Sequence, residues 1–453
     1  MAKILCVTRG LPSIVYPSLE LARRLAVDGH RVVFAGEIQF RPQVEHLGLE
    51  FLPLEPSEFG DFAAHDRRSR FLHRLVALSP RRARATKALA EEDFLQTIQG
   101  LDLDLALVDG EMHEHIFATI GAKIPTVLLN SFSSIWRRPG LPPAHAAVRP
   151  GVGFRGSRLG MLLLWWVLDL RKMFRSASLA LRHAGCDRRS ILRLLARESG
   201  LHWRRDIDTR QWLMPFTYRR QPVLSLHALE FEFPHHPPNH VTYVGPMPLE
   251  QRIDRPLPVE DRERLDGILE RHNQVSEHRL IYAAFGSTLS TDQDFLHRLV
   301  DVVDERPHWE LILSLSGRGE STELGHLPDQ VHVFDWIPQP ELLPHVDAMV
   351  THGGINTLDE CVLHGVPMLI YCGFETDMGG NTARVLHHGL GLAGDRRQDT
   401  TSIIRGHLDR LLQEPDFGHR LERMAESYRA YAQDRVAERA VSSLLGSWDG
   451  GSQ

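Results

Sequence analysis

The residues best suited to chemistry lie in a short stretch of the C-terminal half. It contains Trp336, a histidine-glycine-glycine turn at 352–354, and carboxylates at Glu360 and Asp377. The turn follows a short apolar segment and precedes a helical pattern that ends at Gly365. Glycines let a phosphate approach the backbone closely, and the N–H groups at a helix start favour anions. The pattern therefore predicts a site for a phosphate-bearing ligand.

Each side chain can bind one part of a nucleotide diphosphate that carries a sugar. The flat face of Trp336 can stack on a base, and His352 can donate a hydrogen bond to a departing diphosphate. Glu360 follows His352 by eight residues, and its carboxylate can accept both hydroxyls of a ribose. The hydroxyl groups that can bind phosphate are those of Ser287, Thr288 and Thr357.

Each feature alone also has an ordinary structural explanation. A glycine turn often precedes a helix, a tryptophan beside a proline often packs in a core, and a lone glutamate on a helix is usually solvated. It is the joint order and spacing of these residues that favours a sugar nucleotide.

The stretch resembles the signature of the family-one UDP-glycosyltransferases, which share the two-domain GT-B architecture. The resemblance implies that Trp336 stacks on the base, His352 touches the diphosphate and Glu360 holds the ribose. The residues that we expect to bind the donor are Ser287, Thr288, Trp336, Gln339, His352, Gly353, Gly354, Asn356, Thr357, Glu360 and Asp377. The family pairs the aspartate with a glutamine, and Met378 stands in its place. This exchange leaves the donor open between UDP-glucose and a dTDP-sugar.

The family's usual general base has no counterpart in this chain. Most members carry a histidine in the loop after the first strand. Aligned on Pro17, that position holds Ile14, a residue expected to face the acceptor, and no histidine precedes His30. The partner aspartate of the family is matched by Asp109. A general base contributes a rate factor of about 10²–10⁴, so its loss matters.

Three explanations for the missing histidine stay open. Asp109 acts alone as the base, if burial raises its pKa towards neutral. Alternatively Glu111, His113 or His115 takes the role, although a polar helix start beside the cleft is the ordinary explanation for that cluster. The third explanation is an acceptor that needs little help, such as an acidic phenol or a carbon nucleophile.

Length and composition limit the class of protein. A chain of 453 residues is long enough for at least two domains, and a net charge of −6 argues against a nucleic-acid partner. The four cysteines are scattered and suggest reduced thiols rather than zinc or disulfides. The N-terminus runs straight into a strand pattern, so we expect no signal peptide and a cytoplasmic protein.

Strand and helix patterns alternate along both halves and predict an α/β fold. The GT-B resemblance implies two doubly wound, Rossmann-like domains that face a cleft. We predict an acceptor-binding domain at 1–246, a linker at 247–277 and a nucleotide-sugar domain at 278–453. A first helix is expected from Pro17 to Asp28. A last helix, roughly 418–445, is expected to cross back onto the first domain.

The most apolar run, residues 159–168, is too short to span a bilayer. A core helix that walls an acceptor pocket, with Trp165 facing the acceptor, is the favoured interpretation. Flanking arginines also fit a helix that lies on a membrane surface, which would make the protein membrane-associated. Both interpretations favour a hydrophobic acceptor. Residues 130–143 weakly resemble carotenoid and sterol glucosyltransferases.

We predict no metal and no cofactor. Three D-x-D spellings, at 102–104, 206–208 and 292–294, match a motif of metal-dependent transferases of another fold, but three-letter matches are frequent by chance. The sequence predicts an inverting, metal-independent glycosyltransferase that moves a sugar from a nucleotide sugar to a hydrophobic natural product, terpenoid or lipid. The alternatives are a sugar-nucleotide epimerase or hydrolase, and a catalytically inert auxiliary protein of the same fold.

Overall fold

The computed structural model describes residues 1–55, 59, 78–89, 91–252, 256–275, 277–285, 292–315, 325–373 and 376–449. Within them the chain forms two parallel sheets, each covered by helices, which confirms the predicted α/β fold with two Rossmann-like halves. The predicted donor residues Ser287 and Thr288 lie outside the described residues.

The N-terminal sheet has seven strands in the order β3-β2-β1-β4-β5-β8-β9, and every neighbouring pair is parallel. The order reverses between β1 and β4, where ligands of such sheets usually bind. Its strands are β1 Lys3–Val7, β2 Arg31–Gly36, β3 Glu50–Pro53, β4 Leu105–Asp109, β5 Thr126–Asn130, β8 Val223–Ser225 and β9 Val241–Tyr243, with a separate hairpin of β6 Ile207–Asp208 and β7 Thr217–Tyr218. Its helices are α1 Pro12–Val27, α2 Arg41–His46, α3 Leu78–Lys87, α4 Glu91–Gln99, α5 His113–Gly121, α6 Gly153–Gly156, α7 Arg158–Arg182, α8 Arg188–Glu198 and α9 Trp203–Asp206, with short 3-10 turns at Ile38–Phe40 and Leu229–Phe231.

The C-terminal sheet has six parallel strands in the order β12-β11-β10-β13-β14-β15. Here the order reverses between β10 and β13. The strands are β10 Arg279–Ala284, β11 Trp309–Ser314, β12 Val331–Phe334, β13 Ala348–Thr351, β14 Met368–Ile370 and β15 Gly391–Ala393. The helices are α10 Val259–Gln274, α11 Gln293–Asp304, α12 Gln339–Leu342, α13 Ile355–His364, α14 Met378–His388, α15 Thr401–Gln413, α16 Pro415–Gln433 and α17 Val436–Asp449, with a 3-10 turn at Leu343–His345.

The central strands are buried on both faces, as their continuous apolar runs predict. All five residues of β4 are buried, and so are all six of β11. Helices pack on both faces of each sheet, and two apolar clusters form in each half. The strand ends therefore sit on rigid layers, which is what a site built from strand ends requires.

Three elements differ from the sequence prediction. Helix α1 begins at Pro12 rather than Pro17, so the expected loop is the first turn of the helix. The predicted last helix is two helices, broken where Arg435 adopts a left-handed φ of 53°. The second of them, α17, packs through Ala437 and Val441 on the core of the N-terminal half. The predicted linker contains helix α10.

Candidate active site

A cavity of about 440 Å³ lies at the carboxyl ends of β10, β11, β12 and β13. This is the point at which the strand order of the C-terminal sheet reverses, and the volume suits a small ligand. Helix α1 and the connector after β9 close its other side. The predicted donor residues that line it are Trp336, Gln339, His352, Gly354, Asn356, Thr357 and Glu360.

The glycine turn at 352–354 contributes His352 and Gly354 to this cavity. Gly353 has a φ of +89°, which residues with a side chain rarely adopt. Gly354 caps helix α13, and no side chain of the described residues caps that helix in its place. The first N–H groups of α13 therefore lack partners within the helix and carry the positive end of its dipole. The turn and the helix start together can bind a diphosphate.

Gly354→Ala is expected to abolish nucleotide binding without unfolding the protein. A Cβ at this position would lie 2.8 Å from Nε2 of His352, so the imidazole would have to move. Gly406→Ala on α15 is the matched control, because no atom lies within 4 Å of the added Cβ. Titration of a nucleoside diphosphate against both variants checks the prediction. If the Gly354→Ala variant bound the nucleotide as tightly as the wild type, nucleotide binding would not depend on the observed position of His352.

Glu360 belongs to a hydrogen-bonded cluster at the edge of the cavity. Gln339 donates from Nε2 to Glu360 at 2.5 Å and to Thr357 at 3.3 Å. The guanidinium of Arg252 lies 3.9 Å from the same carboxylate and 5.1 Å from the ring centroid of Tyr16. These contacts hold the carboxylate in a fixed orientation inside the cavity.

His352 stands at the end of β13, and burial lowers the pKa of its imidazole, while the Ala284 carbonyl and Asp377 act in the opposite direction. A neutral ring has one N–H, which it can give either to the Ala284 carbonyl or to a phosphate oxygen. Asp377 precedes helix α14 and accepts a 2.9 Å hydrogen bond from the Asn381 amide. That amide also donates to the Gly353 carbonyl at 3.2 Å, so Asp377 and the glycine turn share one partner. Neither Asp377 nor Gly353 is among the residues that line the cavity.

Asn356 connects the two halves of the molecule. Its Nδ2 donates to the carbonyl of Ser13 in the first turn of α1 at 3.1 Å. Pro17 stands four residues after Ser13 and has no N–H, so the helix leaves that carbonyl without its usual donor. The proline inside α1 thus leaves the Ser13 carbonyl available to accept a hydrogen bond from Asn356, a residue that lines the cavity.

Asp109 ends β4, where the strand order of the N-terminal sheet reverses. Burial raises the pKa of its carboxyl to about 7, although the N–H of Glu111 lowers it. Its Oδ1 accepts that N–H at 2.9 Å, and its Oδ2 is buried without a hydrogen-bond partner among the described residues. Asp109 is not one of the residues that line the donor cavity.

The neighbours of Asp109 have other contacts. Glu111 pairs with Arg9 at 3.3 Å near the surface. His113 is buried in the N-terminal core, where Nδ1 lies 3.0 Å from the Tyr218 hydroxyl and burial holds its pKa well below the usual value. Burial also lowers the pKa of His115, to about 4. The two histidines therefore occupy apolar surroundings rather than the cavity.

The structure places both residues assigned to the acceptor side in packed positions. Ile14 is buried on α1 and does not line the donor cavity, whereas its neighbours Ser13 and Tyr16 do. Trp165 is buried on α7 and donates its indole N–H to the Leu141 carbonyl at 2.8 Å.

Several cavity residues have no signature in the sequence. Tyr282 lies within β10, Ser314 ends β11, and Arg252 comes from the connector. Ser314 could have been predicted, because it is a polar residue at the end of an apolar strand pattern. Nothing in the composition of the connector marks Arg252.

Among the described residues, no three histidine, cysteine or acidic side chains are grouped so that they could hold a metal ion. The aspartates of the D-x-D spellings serve other roles, for example Asp104, which accepts the Lys3 N–H at 2.7 Å, and Asp292, which caps α11. Independence of metal stays a prediction.

The chain has two Rossmann-like halves and a cavity between them at the carboxyl ends of the C-terminal strands. This is the architecture of a GT-B protein. Residues 297–441 match the family model described as erythromycin biosynthesis protein CIII-like, C-terminal domain. Oleandomycin glycosyltransferase of Streptomyces antibioticus is 30% identical over 148 residues, which are 32% of this chain and 34% of that protein. The chain spans about a third of the length of the curated relatives that it matches.

Solved structures match the chain over nearly its whole length. The glycotransferase of kitacinnamycin aligns with a TM-score of 0.65 at 20% identity and covers 98% of both chains. The glycosyltransferase VinC in complex with dTDP aligns with a TM-score of 0.56 at 20% identity over 96% of this chain and all of that one. The fold is therefore GT-B. Residues 297–441 are similar to the C-terminal domain of the erythromycin biosynthesis protein CIII-like family, which confirms the resemblance that the motif in this half carries.

Proposed function

We propose that the protein is an inverting glycosyltransferase that moves a sugar from a nucleoside diphosphate to a hydrophobic small molecule. The observation that carries the proposal is that Trp336, the histidine-glycine turn at 352–354 and Glu360 meet in one cavity. This cavity lies where the strand order of the C-terminal sheet reverses. The names of the relatives, which are glycosyltransferases of natural products, support the same activity.

In this proposal the C-terminal half stabilises the leaving group. The N–H groups at the start of α13 and the neutral His352 donate to the diphosphate as negative charge develops on it. Trp336 binds the base and Glu360 the ribose. The acceptor attacks the anomeric carbon from the side opposite the diphosphate, its proton passes to a base, and the nucleoside diphosphate leaves.

Asp109 is the proposed base. A carboxyl with a pKa of about 7 is half ionised at neutral pH and accepts a proton more readily than an ordinary carboxylate. Its place at the reversal point of the N-terminal sheet suits an acceptor bound by that half.

The donor is a UDP- or dTDP-sugar. VinC binds dTDP, and a dTDP-deoxysugar suits Met378, because a thioether offers little to a sugar hydroxyl. UDP-glucose is the other candidate, and the acceptor is a natural product, a terpenoid or a lipid.

Glu360→Ala is expected to weaken nucleotide binding by about tenfold to a hundredfold, because hydrogen bonds to a charged group contribute about 1.5–3 kcal/mol. Glu341→Ala is the matched control, since Glu341 is exposed on α12 and pairs with Arg262. The measurement is calorimetric titration of both variants with the best-binding donor. Equal affinity of the Glu360 variant and the wild type would contradict the ribose role.

A further inference from the structure

Helix α7 exposes a continuous apolar face. Its large exposed side chains are three, four or seven residues apart, so they lie in one stripe along the helix. Trp166 is 59% exposed and Phe174 is 67% exposed. The stripe, which we call the α7 face, consists of Leu159, Leu162, Leu163, Trp166, Val167, Met173, Phe174 and Leu181. Soluble domains rarely leave such a surface uncovered.

The opposite side of α7 holds the helix on the domain. Gly160, Met161, Trp165 and Lys172 are buried there, and Lys172 donates to the carbonyls of Gln211 and Leu213. Only a minority of the apolar residues of this helix are therefore buried in the core. The expectation that the run would form a core helix is correct for one side and wrong for the other.

The charge along α7 is strongly positive although the chain is acidic overall. The helix carries four arginines, one lysine and a single acid, Asp169. Asp169 is already paired with Arg137 at 2.8 Å. Arg158, Arg171, Arg175 and Arg182 are exposed at the borders of the α7 face. This arrangement complements an anionic surface.

A second cavity, of about 480 Å³, opens beside the α7 face. Trp166 and Met173 belong to its apolar lining. Its charged lining consists of Arg189, Arg210, Lys172 and the Asp169–Arg137 pair. Neither the Arg189 nor the Arg210 guanidinium makes a hydrogen bond or an ion pair of its own with another described residue. A basic cavity beside an apolar stripe can take a phosphate while attached acyl chains follow the stripe.

We propose that the α7 face binds an anionic lipid bilayer, with the helix in the plane of the membrane and a lipid phosphate on Arg189 and Arg210. No helix among the described residues is long and apolar enough to cross a membrane, and a surface-lying helix needs no such length. A second copy of the chain fits less well, because a two-fold interface would place arginines against arginines. The proposal does not depend on the proposed sugar transfer.

Flotation with lipid vesicles tests the proposal. The full chain is expected to float with vesicles of phosphatidylglycerol and phosphatidylcholine, and to float far less with phosphatidylcholine alone. Added salt should weaken the binding. Trp166→Glu combined with Phe174→Glu should reduce the bound fraction at least tenfold. Ile38→Glu combined with Val259→Glu, at exposed apolar positions elsewhere, should leave it unchanged.

Arg189→Gln separates the cavity from the stripe. This variant should keep binding through the apolar face and the arginines at its borders, and should lose the part of the preference for phosphatidylglycerol that the cavity contributes. Equal melting temperatures of the variants and the wild type establish that each is folded. Failure of the wild type to float with anionic vesicles would overturn the proposal. A concentration-dependent dimer that Trp166→Glu abolishes, in a protein that ignores vesicles, would also overturn it and assign the face to a second copy.

Discussion

Asp109→Asn is expected to reduce sugar transfer by about 10²–10⁴ while leaving nucleotide binding unchanged. An amide cannot accept the acceptor's proton, and a general base contributes a factor of about that size. Asp109 does not line the cavity proposed to bind the donor, so the affinity for the nucleotide should not change. Transfer rates and donor titrations on the same preparation check both halves of the prediction.

Asp102→Asn is the control, because Asp102 is exposed just before the same strand, β4. It makes the same chemical change without touching a buried carboxyl. Full transfer by the Asp109→Asn enzyme would remove Asp109 from the mechanism and direct attention to an acceptor that needs no base.

The pH dependence of the same residue gives a second test. Transfer should rise as the pH passes through about 7, because the base acts in its ionised form.

The stability of the folded protein should respond to pH in the opposite direction. Burial raises the pKa from 3.8 to about 7, so the folded protein holds a proton that the unfolded chain has lost between these values. Stability from this group is complete below about pH 4 and is lost as the pH rises through 7. Asp109→Asn should abolish this loss.

Arg384→Met is expected to destabilise the protein by about 3–5 kcal/mol, because it leaves a buried carboxylate uncompensated. Arg384 lies on α14 and pairs with Glu232 of the N-terminal half at 2.5 Å, and both side chains are almost fully buried. The guanidinium also lies 4.8 Å from the ring centroid of Phe233 and donates to the Gly380 carbonyl at 3.1 Å. Denaturant unfolding measures the effect.

The double variant Arg384→Met, Glu232→Gln isolates the charge. It should recover part of the loss, since no buried charge then remains without a partner. Arg420→Met is the surface control, because Arg420 is partly exposed and pairs with the exposed Asp416 four residues earlier; it should cost less than about 1 kcal/mol. A similarly small effect of Arg384→Met would mean that the two halves do not rely on this pair.

The sequence predicted the C-terminal half well, because its signals are local. A strand, a glycine turn and a helix that ends at a left-handed glycine are short-range patterns, and α13 ends at Gly365 as expected. The donor residues on these elements meet at one strand edge for the same reason. Short strands such as β15, with three residues, carry too little pattern to be recognised.

Contacts between the halves could not be predicted, because they depend on tertiary packing. Nothing near Asn356 in the sequence indicates that its amide binds the Ser13 carbonyl. That carbonyl lacks a donor within the helix because α1 begins at Pro12 and Pro17 has no N–H. Arg252 reaches Glu360 from a connector without a motif. The α7 face was misjudged because an apolar run gives the periodicity of a helix but not which side the rest of the protein covers.

Thermal unfolding with a panel of UDP- and dTDP-sugars, without metal, tests the central claim most directly. A ligand that binds the folded state raises the melting temperature by mass action, so no acceptor is needed. We expect one donor to raise the melting temperature of the wild type clearly, and the Glu360→Ala variant to lose that shift. No shift with any nucleotide sugar would contradict the donor site and, with it, the proposed transferase.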